Sequence, residues 1–325
     1  MAHMIMEKDS MFSVNEVPWH RLGVVLPEAP TVEKAIIAAK LNWEVGTKSL
    51  YTQQGEVVPA LATYRKDDNT VLGVVGSNYK PLQNQEAFNF FQPFLDTKEA
   101  SLETAGSLRN GQRVWVLAKI NRQDSVIVPQ ADDRVAKYLL LSNSHDGSLA
   151  VRVGFSPVRV VCNNTLTAAH NDTDSALIRI KHMGDVVGNL EKVREIMNLA
   201  DAKFEATAEQ YRFLASKQIN QKDLEKFVKL VFATKKQQQE AGSIEELTSG
   251  NRVLGDIVQL FESGRGNDLP GVKGSYWAAY NATTEYTQYF RGSDESKRLD
   301  SLWFGTGAAL NKKALEVATE MATAA

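Results

Sequence analysis

The period of the apolar residues changes once along this chain, near residue 164, and the change limits the folds that the chain can adopt. Before it, short apolar runs alternate with turn residues, which is typical of strands in an antiparallel meander. From about residue 185, apolar residues recur at helical spacing, with further helices expected at 252–263 and 276–289 and a helix of small residues at the end of the chain, after residues 296–304. Strands followed by helices indicate an α+β fold rather than a parallel βαβ array.

The chain of 325 residues is long enough for two domains. We predict an extended N-terminal arm over residues 1–30, an α+β core domain over 31–182 and a mostly helical region over 183–325. Proline and glycine residues punctuate the arm, which favours extended backbone over a helix.

The predicted core domain begins with an α-β-β-β-α unit. Thr31 is placed to cap its first helix, and its second helix begins at Asn84. Three strand-like runs separated by turn residues lie between them, at residues 43–51, 57–65 and 70–77. We therefore expect these strands to form an antiparallel sheet.

A second antiparallel block follows, and it begins with a hairpin. The turn at residues 109–111 contains an Asn-Gly pair, which favours a tight primed turn. The second strand, at residues 113–120, is largely apolar, so we predict a central strand that is buried on both faces.

The composition excludes several classes of protein. A single cysteine rules out a disulfide framework and a zinc site built from several thiolates, and it fits a reducing cytosol. No run of 18 apolar residues occurs, and the first residues lack an apolar signal segment, so a cytoplasmic protein without a membrane partner is expected. The formal net charge of −2 requires any surface for nucleic acid to be local.

Residues 139–166 hold the densest group of side chains suited to recognition or chemistry. Apolar residues flank the polar run SNSHDGS on both sides, which predicts the tip of a hairpin. The second arm of that hairpin then carries two arginines, the only cysteine and two asparagines, namely Arg152, Arg159, Cys162, Asn163 and Asn164.

Catalysis by these residues is the weaker interpretation. Ser144, His145 and Asp146 are consecutive, so their side chains cannot point at one another as a catalytic triad requires. Cys162 beside His145 or His182 would make a thiol nucleophile, although a lone cysteine in an apolar strand is more often a core residue. An enzyme with a polar site at His145, Asp146, Cys162 and His182 remains an alternative.

Neither a metal nor a cofactor is predicted. The histidines lack ligand spacing, and Asp146 before Gly147 is equally well explained as a residue that caps its own turn. The glycine-rich stretch at residues 264–274 lacks the spacing of a phosphate-binding loop or a dinucleotide fingerprint.

Binding of nucleic acid is the interpretation that we favour. Basic residues outnumber acidic ones between residues 101 and 182, and basic and amide side chains along a groove bind phosphates and sugars. An ordinary solvated sheet face is the alternative explanation. The predicted contacts are Arg113, Arg152, Arg159, Arg179 and Lys181 to phosphates, Asn143, Asn163 and Asn164 as amide groups, and Tyr79 and Trp115 as stacking rings.

Several motifs together resemble one family. VPWHRLG, VVGSNYKPLQN, ETAGSLRNGQRVWVLAKI, SNSHDGSLAVRVGFSPVRVVCNNTL and RIKH occur in the order found in the phage/plasmid-like protein family with a DUF932 domain, over roughly residues 10–320. The resemblance implies a gene carried by phages, plasmids or transferred islands, and no established activity. In architecture alone, the α-β-β-β-α unit with a basic hairpin is similar to Rad52-like single-strand annealing proteins, which form rings or filaments and act without ATP.

These resemblances lead to one expected function and two alternatives. We expect a homo-oligomeric DNA-binding protein that holds single-stranded DNA in recombination or replication, without ATP or another cofactor. Its helical half would assemble protomers or recruit a host or phage protein. The alternatives are an enzyme with the polar site described above and a protein-binding inhibitor of host defence.

Overall fold

The computed structural model of the chain describes residues 10–15, 23–159, 161, 164–165, 177–178, 190–292 and 295–325. Its fold is α+β, as predicted, with strands in the N-terminal half and helices in the C-terminal half. The strands are β1 (Met11–Val14), β2 (Val24–Leu26), β3 (Val45–Tyr51), β4 (Val57–Arg65), β5 (Val71–Gly76), β6 (Ala100–Leu108), β7 (Arg113–Ile120), β8 (Ser125–Val128), β9 (Asp133–Ser144), β10 (Arg152–Arg159), β11 (Asn164–Thr165) and β12 (Leu177–Ile178). The helices are α1 (Val32–Ala38), α2 (Asn84–Asn89), α3 (Gln92–Asp96), α4 (Leu190–Ser216), α5 (Gln221–Phe232), α6 (Lys235–Glu240), α7 (Leu254–Ser263), α8 (Tyr276–Glu285), α9 (Glu295–Phe304) and α10 (Thr306–Ala324).

The predicted α-β-β-β-α unit is confirmed. The Thr31 side chain accepts a hydrogen bond from the backbone N–H of Lys34, which caps α1. Strands β3, β4 and β5 then form an antiparallel sheet of their own, in that order, and α2 follows.

The remaining strands form a second, larger sheet in the order β11-β10-β9-β7-β6-β1-β2, with β8 beside β9 and β12 beside β10. Strand β7 lies between β6 and β9, and all of its residues except Lys119 are buried, so the predicted central strand is confirmed. Arg109, Asn110 and Gly111 all have positive φ angles (57°, 58° and 86°), as a primed turn requires. Strands β1 and β2 of the predicted arm extend the far edge of this sheet.

The two faces of the large sheet pack against different helices. We call the face that carries Val114 and Val116 the inner face, because it packs in one core with the buried phenylalanines of residues 88–94 in and beside α2 and α3. We call the face that carries Arg113, Trp115 and Leu117 the outer face, and α9 packs on it. Adjacent residues of a strand point to opposite faces, so the sequence position decides which helix a side chain meets.

Helix α4 packs in both cores of the protein. Its residues Met197 and Ala200 belong to the inner core of the large sheet, while Tyr211 and Leu214 belong to a second core with α5, α7, α8 and α10. The division of the chain into separate domains stays a prediction. In the part of the chain that the structure describes, no helix combines the length and the apolar character needed to cross a membrane.

The polar hairpin tip is the joint between the two sheets. The backbone N–H of His145 donates to the Gln112 carbonyl at 2.7 Å, and the His145 carbonyl accepts from Thr63 Oγ1 at 2.7 Å. A Cβ atom placed on Gly73 would lie 2.6 Å from the Cα of Asp146, so the two backbones touch there. The stretch that gathers His, Asp, Ser and Asn therefore has a structural role in joining the sheets.

Replacing Gly73 by alanine should lower the free energy of unfolding by about 1–3 kcal/mol, because the added methyl group overlaps the Asp146 backbone. Gly76 in the same strand is the matched control, since nothing that the structure describes lies within 4 Å of a Cβ placed there. Urea denaturation of both variants measures the difference. Equal effects of Gly73→Ala and Gly76→Ala would contradict the close approach.

Candidate nucleic-acid interface

Three arginines gather where the β6–β7 and β9–β10 connections meet at one end of the large sheet. Arg109 lies in the first connection, and Arg113 and Arg152 are the first residues of β7 and β10. Arg113 is paired with Ser144, and Arg152 with Ser142, so both arginines lie on the outer face. We call Arg109, Arg113 and Arg152 the arginine cluster.

Two of these arginines share one carboxylate from α9. Arg109 Nη2 lies 2.7 Å from Asp300 Oδ2, and Arg113 Nη1 lies 2.8 Å from Asp300 Oδ1. The side chain of Arg109 is 45% exposed, whereas those of Arg113 and Asp300 are 9% and 15% exposed. Two guanidinium groups share this carboxylate, and a second carboxylate, that of Asp146, lies near enough to Arg113 for the two charges to interact.

The contact between α9 and the outer face is rich in hydrogen-bond donors and poor in acceptors. Trp303 of α9 stacks on Trp115, with ring centroids 6.1 Å apart and planes inclined by 19°. Arg113 Nε, Trp115 Nε1 and Trp303 Nε1 are buried and find no hydrogen-bond partner among the described residues. An unpartnered buried donor costs about 1–3 kcal/mol. The hydrogen-bonding capacity of this contact is therefore only partly used.

A family model described as a domain of unknown function, DUF932, matches residues 71–303. The chain belongs to the DUF932 family. The match begins at β5 and ends within α9, so it contains the arginine cluster and Asp300. No curated protein and no solved structure matches this DUF932 chain, so the comparisons name no ligand and give no support to the likeness to Rad52.

Arg159 lies apart from the arginine cluster. Its guanidinium is fully buried and pairs with Asp133, with Nη2 2.8 Å from Oδ2, and it donates to the Gly266 carbonyl and to Asn267. Arg152 and Arg159 are seven positions apart in one strand, so they point to opposite faces of the sheet. The predicted shared groove is wrong for Arg159 for that reason.

Asn143 and Trp115 also differ from the prediction. Asn143 is paired with Val114 and lies on the inner face, 2% exposed, with Nδ2 3.5 Å from the Leu82 carbonyl. Trp115 lies on the same face as Arg113 but is only 2% exposed beneath Trp303, so no base can stack on it in this arrangement. Tyr79 lies at the same end as the arginine cluster, where its hydroxyl donates to the Ser144 carbonyl at 2.8 Å and the residue is partly buried.

The alternative polar site does not form an accessible pocket around His145. That side chain is fully buried, with its Nε2 3.0 Å from Asn84 Oδ1 and its ring edge-on to Trp43. Burial lowers the pKa of His145 to about 4, which leaves the imidazole neutral at neutral pH.

Asp146 caps its own turn, as the second interpretation of the sequence proposed, because Oδ1 accepts from the Ser148 N–H at 2.9 Å. Burial acts to raise its pKa, but hydrogen bonds from Ser148 and Ser144 and the charge of Arg113 together lower it. Within the described residues, no group of three or more His, Cys, Asp or Glu side chains is arranged to hold a metal ion.

The other predicted residues fall where the structure says little or nothing. Five of them lie outside the described residues, namely Arg179, Lys181, Asn163, Cys162 and His182. Asn164 is described only as backbone in β11. Their roles stay predictions. Two residues of this candidate site, Arg109 and Asp300, were not among the predicted contacts. Asp300 lies 187 positions from its partner Arg113, and no local pattern links the two.

Proposed function

We propose that this DUF932 protein binds single-stranded nucleic acid through backbone phosphates at the arginine cluster, in DNA recombination or replication and without ATP. The observation that carries the proposal is the pair of guanidinium groups, Arg109 and Arg113, that hold the two oxygens of the Asp300 carboxylate. Arginine presents a planar set of N–H donors that fits carboxylate and phosphate oxygens alike. A backbone phosphodiester presents two non-bridging anionic oxygens, as a carboxylate does, and can therefore bind the same two guanidinium groups.

Two further residues support an extended ligand rather than a single anion. Arg152 adds a third cation on the same face, one row along the sheet from Arg113. Tyr79 adds a partly exposed ring at the same end of the sheet, and aromatic rings beside cations are the usual means of holding single strands without sequence preference. Several cations and an aromatic ring at one end of the sheet suit a ligand in which phosphates alternate with bases.

The proposed interface is smaller than the one expected from the sequence. Arg159 and Asn143 are excluded by their burial on the inner face. Arg179, Lys181, Asn163 and Asn164 remain proposed contacts. Assembly into a homo-oligomer and recruitment of a phage or host protein through the helical half also remain proposals.

Replacing Arg109 by glutamine should weaken binding of a labelled single-stranded oligonucleotide and flatten its salt dependence. Each phosphate contact with a single strand contributes about 0.7 to the slope of log K against log salt concentration, so the slope should fall by about that amount. Fluorescence anisotropy at several salt concentrations measures both quantities.

Arg134 supplies the matched control, because its side chain is 39% exposed and pairs with Asp132 away from the arginine cluster. Arg134→Gln changes the net charge equally and should leave the slope almost unchanged. Wild-type binding that does not weaken as salt is added would contradict the proposal, as would equal effects of Arg109→Gln and Arg134→Gln.

A further inference from the structure

We infer that α9 occupies the nucleic-acid interface as an internal mimic of a nucleotide, and that it must leave the outer face before a strand binds fully. The inference rests on the proposed function and concerns the regulation of the same site. It is carried by two side chains of one helix, Asp300 and Trp303, each of which contacts a residue expected from the sequence to bind nucleic acid.

Asp300 takes the place of a phosphate. Its two carboxylate oxygens are divided between Arg109 and Arg113, each at a distance of 2.7–2.8 Å typical of a charge-assisted hydrogen bond. A phosphate group would satisfy the same two guanidinium groups. The carboxylate and a phosphate therefore compete for one position.

Trp303 takes the place of a base. Its indole lies nearly parallel to that of Trp115, with ring centroids 6.1 Å apart as in an offset aromatic pair, and it covers the ring on which a base would stack. Asp300 and Trp303 are three positions apart in α9, so they share one face of the helix. One helical turn thus presents an anion and an aromatic ring together, as a nucleotide does.

In the described part of the chain, the contact between α9 and the outer face leaves several buried hydrogen-bond donors without acceptors. Arg113 Nε, Trp115 Nε1 and Trp303 Nε1 all lack a hydrogen-bond partner among the described residues, although they are buried. All three are donors, and a nucleic-acid strand brings an excess of acceptor oxygens and ring nitrogens. Exchange of α9 for a strand would satisfy donors that the closed contact leaves unpaired.

Helix α9 covers Trp115, which the sequence predicts to stack on a base, and displacement of α9 would uncover it. Trp115 is 2% exposed, and Trp303 and Leu299 of α9 belong to the cluster that buries it. Without α9, the outer face would present Trp115 between the arginine cluster and the apolar residues Leu117 and Leu140. With α9 in place, the ring that would stack on a base, that of Trp115, is present but covered.

Asp300→Asn tests the competition directly, because it removes the charge that holds two arginines and keeps the size of the side chain. We expect the variant to bind a labelled single-stranded oligonucleotide about tenfold more tightly than the wild type, the effect of losing one charge-assisted contact. Asp132→Asn is the matched control: it changes the net charge equally at an exposed pair with Arg134 and should alter affinity by less than about twofold.

Hydroxyl-radical footprinting of the wild-type protein gives a second measurement that needs no variant. Oxidation of Trp303, which is 5% exposed, should become faster when the oligonucleotide is added. Oxidation of Trp277, which is fully buried in the helical core, should not change. If Asp300→Asn does not fold, the footprint alone decides.

The outcomes separate the two ideas. Binding by the wild type with no gain in Asp300→Asn and continued protection of Trp303 would overturn the role of α9 and leave the proposed function standing. Absence of binding by the wild type and by Asp300→Asn would overturn both. Tighter binding by Asp300→Asn, together with faster oxidation of Trp303 in the complex, would support both.

Discussion

Replacing Arg159 by methionine should lower the free energy of unfolding by about 3–5 kcal/mol, the largest loss that we expect from a single substitution in this protein. The Asp133 carboxylate is 1% exposed, and Arg159 meets it through Nε and Nη2 at 2.8–3.1 Å. Without the guanidinium, the buried carboxylate would keep the hydrogen bond from Trp277 Nε1 but would lose its positively charged partner. Urea denaturation measures the loss.

The size of this effect follows from where the pair lies. Asp133 and Arg159 belong to β9 and β10, and Arg159 also donates to the carbonyls of Arg265 and Gly266 in the loop before α8. The buried pair therefore ties the large sheet to the helical half. Loss of the pair therefore weakens both the contact between β9 and β10 and the contact of the sheet with the helical half.

Two further variants make the test specific. Arg134→Met removes an exposed arginine from its pair with Asp132 and should cost less than about 1 kcal/mol. The double variant Arg159→Met with Asp133→Asn removes both charges, keeps an acceptor for Trp277 and should recover part of the loss. Equal losses in Arg159→Met and Arg134→Met would contradict the structural role of the buried pair.

The free energy of unfolding should also fall as the pH is lowered from 6.5 toward 4, because His145 has to stay neutral in the folded protein. Burial lowers the pKa of His145 from 6.5 to about 4, and the charge of Asp146 opposes this shift only in part. In this interval the unfolded chain binds a proton that the folded chain does not. The stability is therefore full above pH 6.5, and the total loss toward pH 4 is on the order of 3 kcal/mol.

His145→Gln separates this contribution from those of other titrating groups. Glutamine can keep a hydrogen bond to Asn84, but it carries no charge at any pH. Urea denaturation at several pH values between 7.5 and 4 should give a flatter profile for the variant than for the wild type. Parallel profiles would show that His145 does not titrate as its burial requires.

The sequence predicted those parts of the fold that depend on neighbouring residues. The three strands of the small sheet, the turn at residues 109–111 and the central position of β7 were all predicted correctly, because side-chain alternation and turn residues are local properties. The helix predicted at residues 252–263 begins within two residues of α7 and ends at the same residue. Each of these features can be recognised within about ten positions of the chain.

One error in the expected interface could have been avoided from the sequence. Seven positions separate Arg152 from Arg159, and an odd separation within one strand places two side chains on opposite faces. Asn143 is excluded by the same argument once its strand is aligned with β7, because it is paired with Val114 and not with Arg113. The alternation that identified these strands also determined which side chains could share a groove.

Residue patterns alone were enough to predict the α+β class, strands before helices, and the likeness to the DUF932 family. The folded chain was needed to show which arginine is buried with Asp133, which two meet Asp300 and what covers Trp115. The physical reason is that propensity and periodicity act over a few neighbouring residues. Charge pairing and ring stacking act through space, and here they join residues up to 191 positions apart.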